Sequence, residues 1–82
     1  MNNSITFEEY IENLIERGFD FYVGYTAWDN RLRIEVRKDG ASFIEHIDNP
    51  GDYLTFKIVL RRTIENLVNK VEKLLKQEGD EV

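Results

Sequence analysis

Few side chains in this sequence are equipped for covalent chemistry. His46 is the sole histidine, and no Cys, second His or paired carboxylate stands at a ligand spacing from it. Neither a metal cluster nor a base oriented by a partner is in view. Ser4 and Ser42 lie near the terminus and beside a turn, with no triad context. The five glycines form no phosphate loop, because no G-x-x-x-x-G-K run exists. Without cysteine there is no disulfide and no thiolate zinc site. The expectation is a protein that is not an enzyme and holds no metal or cofactor.

What the chain does carry is charge at regular spacing. Glu8, Glu12 and Glu16 recur every fourth residue, with Glu9 beside them and Asp20 following. On a helix they form one ridge. These five acids face only Arg17 in residues 1–20, a balance of −4 out of the net −5. Residues 21–60 contribute −1 and residues 61–82 balance. The molecule is therefore a dipole, not a polyanion. A rigid carboxylate ridge can occupy a basic groove that otherwise holds phosphates, and it also suits the N-terminal half of an ordinary solvated helix. A second group is Tyr22, Trp28, Arg31, Arg33, Arg37 and His46, aromatic and basic types that concentrate at binding hot spots and on nucleic-acid-reading sheets.

The elements that position these groups follow from periodicity. Ser4 or Thr6 can cap a first helix, and Thr6 with Glu9 has the capping-box spacing. Phe7, Ile11, Leu14 and Ile15 form its apolar stripe, and Gly18 ends it, giving a helix over about 6–17. After Gly18 the period becomes two. Phe19, Phe21, Val23, Tyr25 and Ala27 alternate with polar or open positions, then Leu32, Ile34 and Val36 alternate with Arg31, Arg33, Glu35 and Arg37. Asp29-Asn30 is read as a two-residue hairpin turn and Asp39-Gly40 as a second, followed by a strand over about 42–48 that ends at Asn49-Pro50-Gly51. The last segment is read as one helix from about 52 to 77 capped by Asp52, with a fourth strand at 53–59 as the alternative. Leu54 and Ile58 then face away from the core.

The fold class expected is α+β, a two-layer αβββα arrangement with both helices on one face of a three-stranded antiparallel meander. Two-residue turns set the register. The open face then reads Tyr22–Arg37–Ser42, Gly24–Glu35–Ile44, Thr26–Arg33–His46 and Trp28–Arg31–Asp48, and is mildly basic. The core face reads Val23–Val36–Phe43, Tyr25–Ile34–Glu45 and Ala27–Leu32–Ile47. Glu45 is a misfit there, to be accommodated at a sheet edge or by a bulge.

The chain of 82 residues allows a single domain, ordered over about 5–77, with free ends. Its 41% apolar content and ten aromatic residues, five Phe, four Tyr and one Trp, exclude an acidic disordered chain. No apolar run approaches the roughly 20 residues of a membrane span, and residues 1–20 lack the pattern of a signal peptide. A soluble cytoplasmic protein is expected.

The αβββα order is shared with double-stranded RNA-binding domains. Their lysine cluster at the last helix is replaced here by Gly51-Asp52-Tyr53-Leu54-Thr55-Phe56-Lys57, and an acidic chain repels a polyanion. Direct nucleic-acid binding is therefore the lesser expectation. With its Asp-Gly turn in Arg37-Lys38-Asp39-Gly40-Ala41-Ser42-Phe43, the order, size and charge also resemble small acidic phage or mobile-element proteins, including anti-CRISPR inhibitors of Cas9-type nucleases. That resemblance implies an inhibitor occupying a host nucleic-acid-binding protein. The function expected is non-enzymatic binding of a protein partner through the acidic ridge Glu8, Glu9, Glu12, Glu16 and Asp20. The alternative is a self-associating module, a homodimer formed through the open sheet face or through Leu54 and Ile58.

Overall fold

A computed structural model describes residues 5–79, as α1 (Phe7–Glu16), β1 (Asp20–Thr26), β2 (Arg31–Lys38), β3 (Ala41–Asp48) and α2 (Tyr53–Gly79). The strands form one antiparallel sheet in the order β1-β2-β3. The helices cover one of its faces, so the α+β two-layer architecture holds. Ser4 and residues 80–82 lie outside the described residues. Glu78 and Gly79, expected in a free tail, extend α2.

Each end of α1 is fixed locally. The Thr6 hydroxyl accepts the Glu9 N–H at 3.1 Å, and the Glu9 carboxylate accepts the Thr6 N–H at 2.9 Å. At the other end Gly18 takes φ 90°, its N–H bonds the Ile15 carbonyl, and the Phe19 N–H reaches back to the Leu14 carbonyl. This reversal needs the left-handed backbone that glycine adopts without penalty. It also brings Phe19 onto Leu14, and both are buried.

Residues 53–59 are helical, not a fourth strand. The Asp52 carboxylate accepts both the Thr55 N–H at 2.9 Å and the Thr55 hydroxyl at 2.8 Å. Those bonds hold its carboxyl below the ordinary aspartate value. The cap starts a stripe of Phe56, Leu60, Ile64, Leu67, Val71 and Leu74 that packs on β2 and β3. Tertiary burial of a 3.6-residue period thus overrides the β-forming residue types. At 27 residues α2 is about 40 Å long, whereas an eight-residue strand spans about 27 Å. The helix is therefore longer than the sheet it covers; Tyr53 at its start stays exposed, as do Leu54 and Ile58 on the side away from the core.

The two hairpins differ. Asp39 (φ 52°) and Gly40 (φ 87°) both adopt positive φ between the paired Lys38 and Ala41, the two-residue turn expected. The first hairpin does not follow its expectation. Thr26, not Trp28, faces Arg31, so the turn is Ala27–Asn30. A two-residue turn of that type needs positive φ at both central residues, and of the pair only Asn30 has it (φ 56°). In that position the Asn30 side-chain oxygen accepts the Tyr25 hydroxyl at 2.8 Å and the Asn49 amide at 3.2 Å. Its carbonyl accepts the Asn49 N–H at 3.1 Å.

The register of β1 is therefore displaced by two residues, which preserves faces but changes rows. The helix-side rows are Phe21–Val36–Phe43, Val23–Ile34–Glu45 and Tyr25–Leu32–Ile47. Ala27 leaves the core for the turn and is exposed. Glu45 sits half-buried on β3, an edge strand, in an unbroken ladder. The edge accounts for it, and no bulge is needed.

Two outcomes are expected. Leu67 is sealed in the core and Leu54 is 69% exposed. Urea unfolding should show Leu67→Ala losing about 2–5 kcal/mol, against less than about 0.5 kcal/mol for Leu54→Ala. Because the folded Asp52 pKa is depressed, its cap stabilises above the unfolded-state value and is lost as pH falls through the lower folded value. Asp52→Ala should therefore lower the melting temperature at neutral pH and flatten the acid limb of a melting-temperature profile.

Candidate interaction surfaces

The open sheet face is assembled around a carboxylate. Its rows are Asp20–Arg37–Ser42, Tyr22–Glu35–Ile44, Gly24–Arg33–His46 and Thr26–Arg31–Asp48. Glu35 occupies the central strand with its side chain only 14% exposed. It faces Arg33 at 3.6 Å and Arg37 at 3.8 Å, and accepts the Ser42 hydroxyl at 2.9 Å. Arg37 also stands 6.0 Å above the Tyr22 ring, and Arg31 bonds Asp48 at 3.1 Å. Residues two apart on a strand share a face, so the 33–35–37 triplet was readable from alternation.

This corrects two expectations. Trp28 does not belong to the face: it lies in the β1–β2 turn, 86% exposed. Nor is the face basic, since Arg31, Arg33 and Arg37 are matched by Asp20, Glu35 and Asp48. His46 is exposed on edge strand β3 opposite Arg33. Among the described residues no three His, Asp or Glu side chains group as metal ligands would.

The acidic ridge divides differently from its expected five members. Glu8, Glu12 and Glu16 are exposed along α1, and among the described residues none of them forms an ion pair or side-chain hydrogen bond. Glu9 is exposed but bound into the helix cap. Asp20 is not on the helix: it begins β1 and takes a place opposite Arg37 on the open sheet face. The usable ridge is therefore three glutamates spaced by about 6 Å along the helix axis.

Side chains from both helices hold α1 in place. Arg61 stacks 5.1 Å from the Tyr10 ring, donates to the Ile5 carbonyl at 3.2 Å and pairs with Glu65 at 3.3 Å. Arg17 pairs with Glu72 at the other end. The helices consequently run side by side in the same direction. Burial, reinforced by nearby Glu65, pushes the Tyr10 phenol above its ordinary value. These pairs use the acids of α2 on the side facing α1. Arg62, Lys70, Lys73 and Lys76 remain exposed and, among the described residues, without ion pairs. The charge balance of this segment hides that segregation, which only the packing of α1 makes visible.

No helix among the described residues is long and apolar enough to cross a membrane. The chain matches no protein-family model, no curated protein and no solved structure.

Removing the central carboxylate tests how the sheet face is held. Glu35→Ala should cost about 1–2 kcal/mol in urea unfolding, because two arginines and a hydroxyl lose a shared acceptor. Arg33→Ala and Arg37→Ala, each half-exposed, should each cost less than about 1 kcal/mol.

Proposed function

We propose that this protein is a non-enzymatic binding domain that presents α1 to a basic surface of a protein partner. One contrast carries the reading. The arginines of the sheet face are already matched by Asp20, Glu35 and Asp48, whereas Glu8, Glu12 and Glu16 project from α1 with no partner among the described residues. Charge left unmatched within a molecule steers it toward complementary charge elsewhere. A ladder of three carboxylates on a capped helix has the sign and repeat to enter a groove built for nucleic-acid phosphates. This is the mode of action that likeness to anti-CRISPR inhibitors implies. An inhibitor of this kind needs no catalytic group: it acts by occupying the site.

The test combines capture with competition. Proteins retained from bacterial lysate by the wild-type domain are identified, purified and challenged with labelled duplex DNA. The expected partner binds DNA, loses it to the domain, and does so progressively less well at higher salt. Changing Glu8, Glu12 and Glu16 together to Lys should weaken its binding by at least about 100-fold, with the circular dichroism of the fold retained. A retained partner that binds the triple variant equally well would overturn the assignment to α1.

A further inference from the structure

The two edges of the sheet are guarded unequally. β3 carries Glu45 on its helix side and Asp48 at its end, and Pro50 follows. Inward charge and proline are devices that prevent a strand from pairing with another chain. β1 has neither an inward charge nor a proline. Its sequence Asp20-Phe21-Tyr22-Val23-Gly24-Tyr25-Thr26 contains one charge, at its first residue, and no proline. Both of its faces are also open. α2 packs on β2 and β3, and beyond Phe21 the helix-side residues of β1 stay half-exposed: Val23 is 46% and Tyr25 56% exposed. On the opposite face Tyr22 is 60% exposed. This departs from the buried inner face that alternation alone predicts for β1. Among the described residues no loop backbone or side chain bonds to its backbone beyond the pairing with β2.

We infer that β1 pairs antiparallel with β1 of a second copy of this chain, centred on Val23, to make one continuous six-stranded sheet. The strand is self-complementary about that centre. Phe21 meets Tyr25 of the second copy and Val23 meets Val23, all on the helix side. Tyr22 meets Gly24 on the open side, and Asp20 meets Thr26. Nothing stands within 4 Å of where a Cβ on Gly24 would be, which leaves that position clear for an aromatic ring from the neighbouring strand. Charge fits as well. Asp20 shares a row with its own Arg37, while Thr26 shares one with Arg31. In the joined sheet the only charge of β1 therefore lies between Arg37 of its own copy and Arg31 of the other. No like charges face each other.

The extent of the contact sets its strength. An aromatic side chain has about 150–250 Å² to bury. With two half-exposed tyrosines, one valine and seven residues of backbone from each copy, the pair removes roughly 1,000 Å² in total, at the lower limit for specific interfaces. The dimer is thus expected to form reversibly with concentration. It stands independently of the proposal for α1, whose glutamates take no part in it.

Sedimentation equilibrium over a concentration series reads the outcome. The full chain should shift from 9.7 kDa toward twice that mass. Val23→Lys and Val23→Glu each place like charges on the symmetry axis at a half-exposed site. Each should remain monomeric, with wild-type circular dichroism and an unshifted urea midpoint. An equimolar mixture of the two should recover the dimer, because Lys then faces Glu. A wild-type chain that stays monomeric to about 1 mM, the weak limit of association, would sink the inference. So would a Val23→Lys chain that dimerises like wild type. If the single variants are monomeric but their mixture fails to pair, the Val23-centred register is wrong.

Discussion

The dry seam between α2 and the central strand organises this molecule. Ile34 and Val36 of β2 and Ile64, Leu67 and Val71 of α2 are all sealed from water. A chain of 82 residues has a limited core to divide among its elements, and this seam takes most of it. β2 is flanked on both sides, and α2 extends over β2 and β3. β1 and α1 are left with what remains. α1 buries Leu14, packs Phe7, Tyr10 and Ile11 on the core only in part, and is held at its ends by Arg61 and Arg17. β1 follows the buried Phe19, buries Phe21 only in part and leaves its middle uncovered. Both candidate interaction surfaces therefore lie on the elements that the core serves least.

The charge pattern follows from the same division. Apolar packing decides which side of α2 meets the sheet and where α1 lies beside it. Glu65 and Glu72 are then turned toward α1, and Arg62, Lys70, Lys73 and Lys76 toward solvent. On the sheet, strand alternation places Glu35 between two arginines of its own strand. In each case local geometry resolves formal charge into groups that cancel and groups that do not. The sites of uncancelled charge matter more to a partner than the net value.

Much of this architecture was legible from periodicity and punctuation. Gly18, Asp39-Gly40 and the Thr6–Glu9 pair each act through one local conformation or bond, and each performs the expected role. Helix against strand at residues 53–59 was decided by the Asp52 cap and the stripe it continues. The first hairpin was not legible, because its register depends on Asn30 bonding Tyr25 and Asn49, and Asn49 is 19 residues away in sequence. The candidate sites shared that limit. Glu8, Glu12 and Glu16 follow from helical spacing alone, but Trp28 and Asp20 were misplaced with the hairpin or with the helix. The exposure of Val23 and Tyr25 depends on which strands a distant helix chooses to cover.

The attachment of α1 has a consequence for motion. Its two ends are fastened by exposed guanidinium contacts, Arg61 to the Ile5 carbonyl and Arg17 to Glu72, while between them Leu14 is fully buried and Phe7, Tyr10 and Ile11 only partly. α2 and the sheet are joined by apolar contact that salt does not weaken. Rising ionic strength screens the first kind of fastening. α1 is therefore expected to be the element whose attachment weakens first as salt rises, with amide exchange in α1 outpacing exchange in β2. The helix that carries the free glutamates is thus also the part of the protein whose anchorage responds to the surrounding electrolyte.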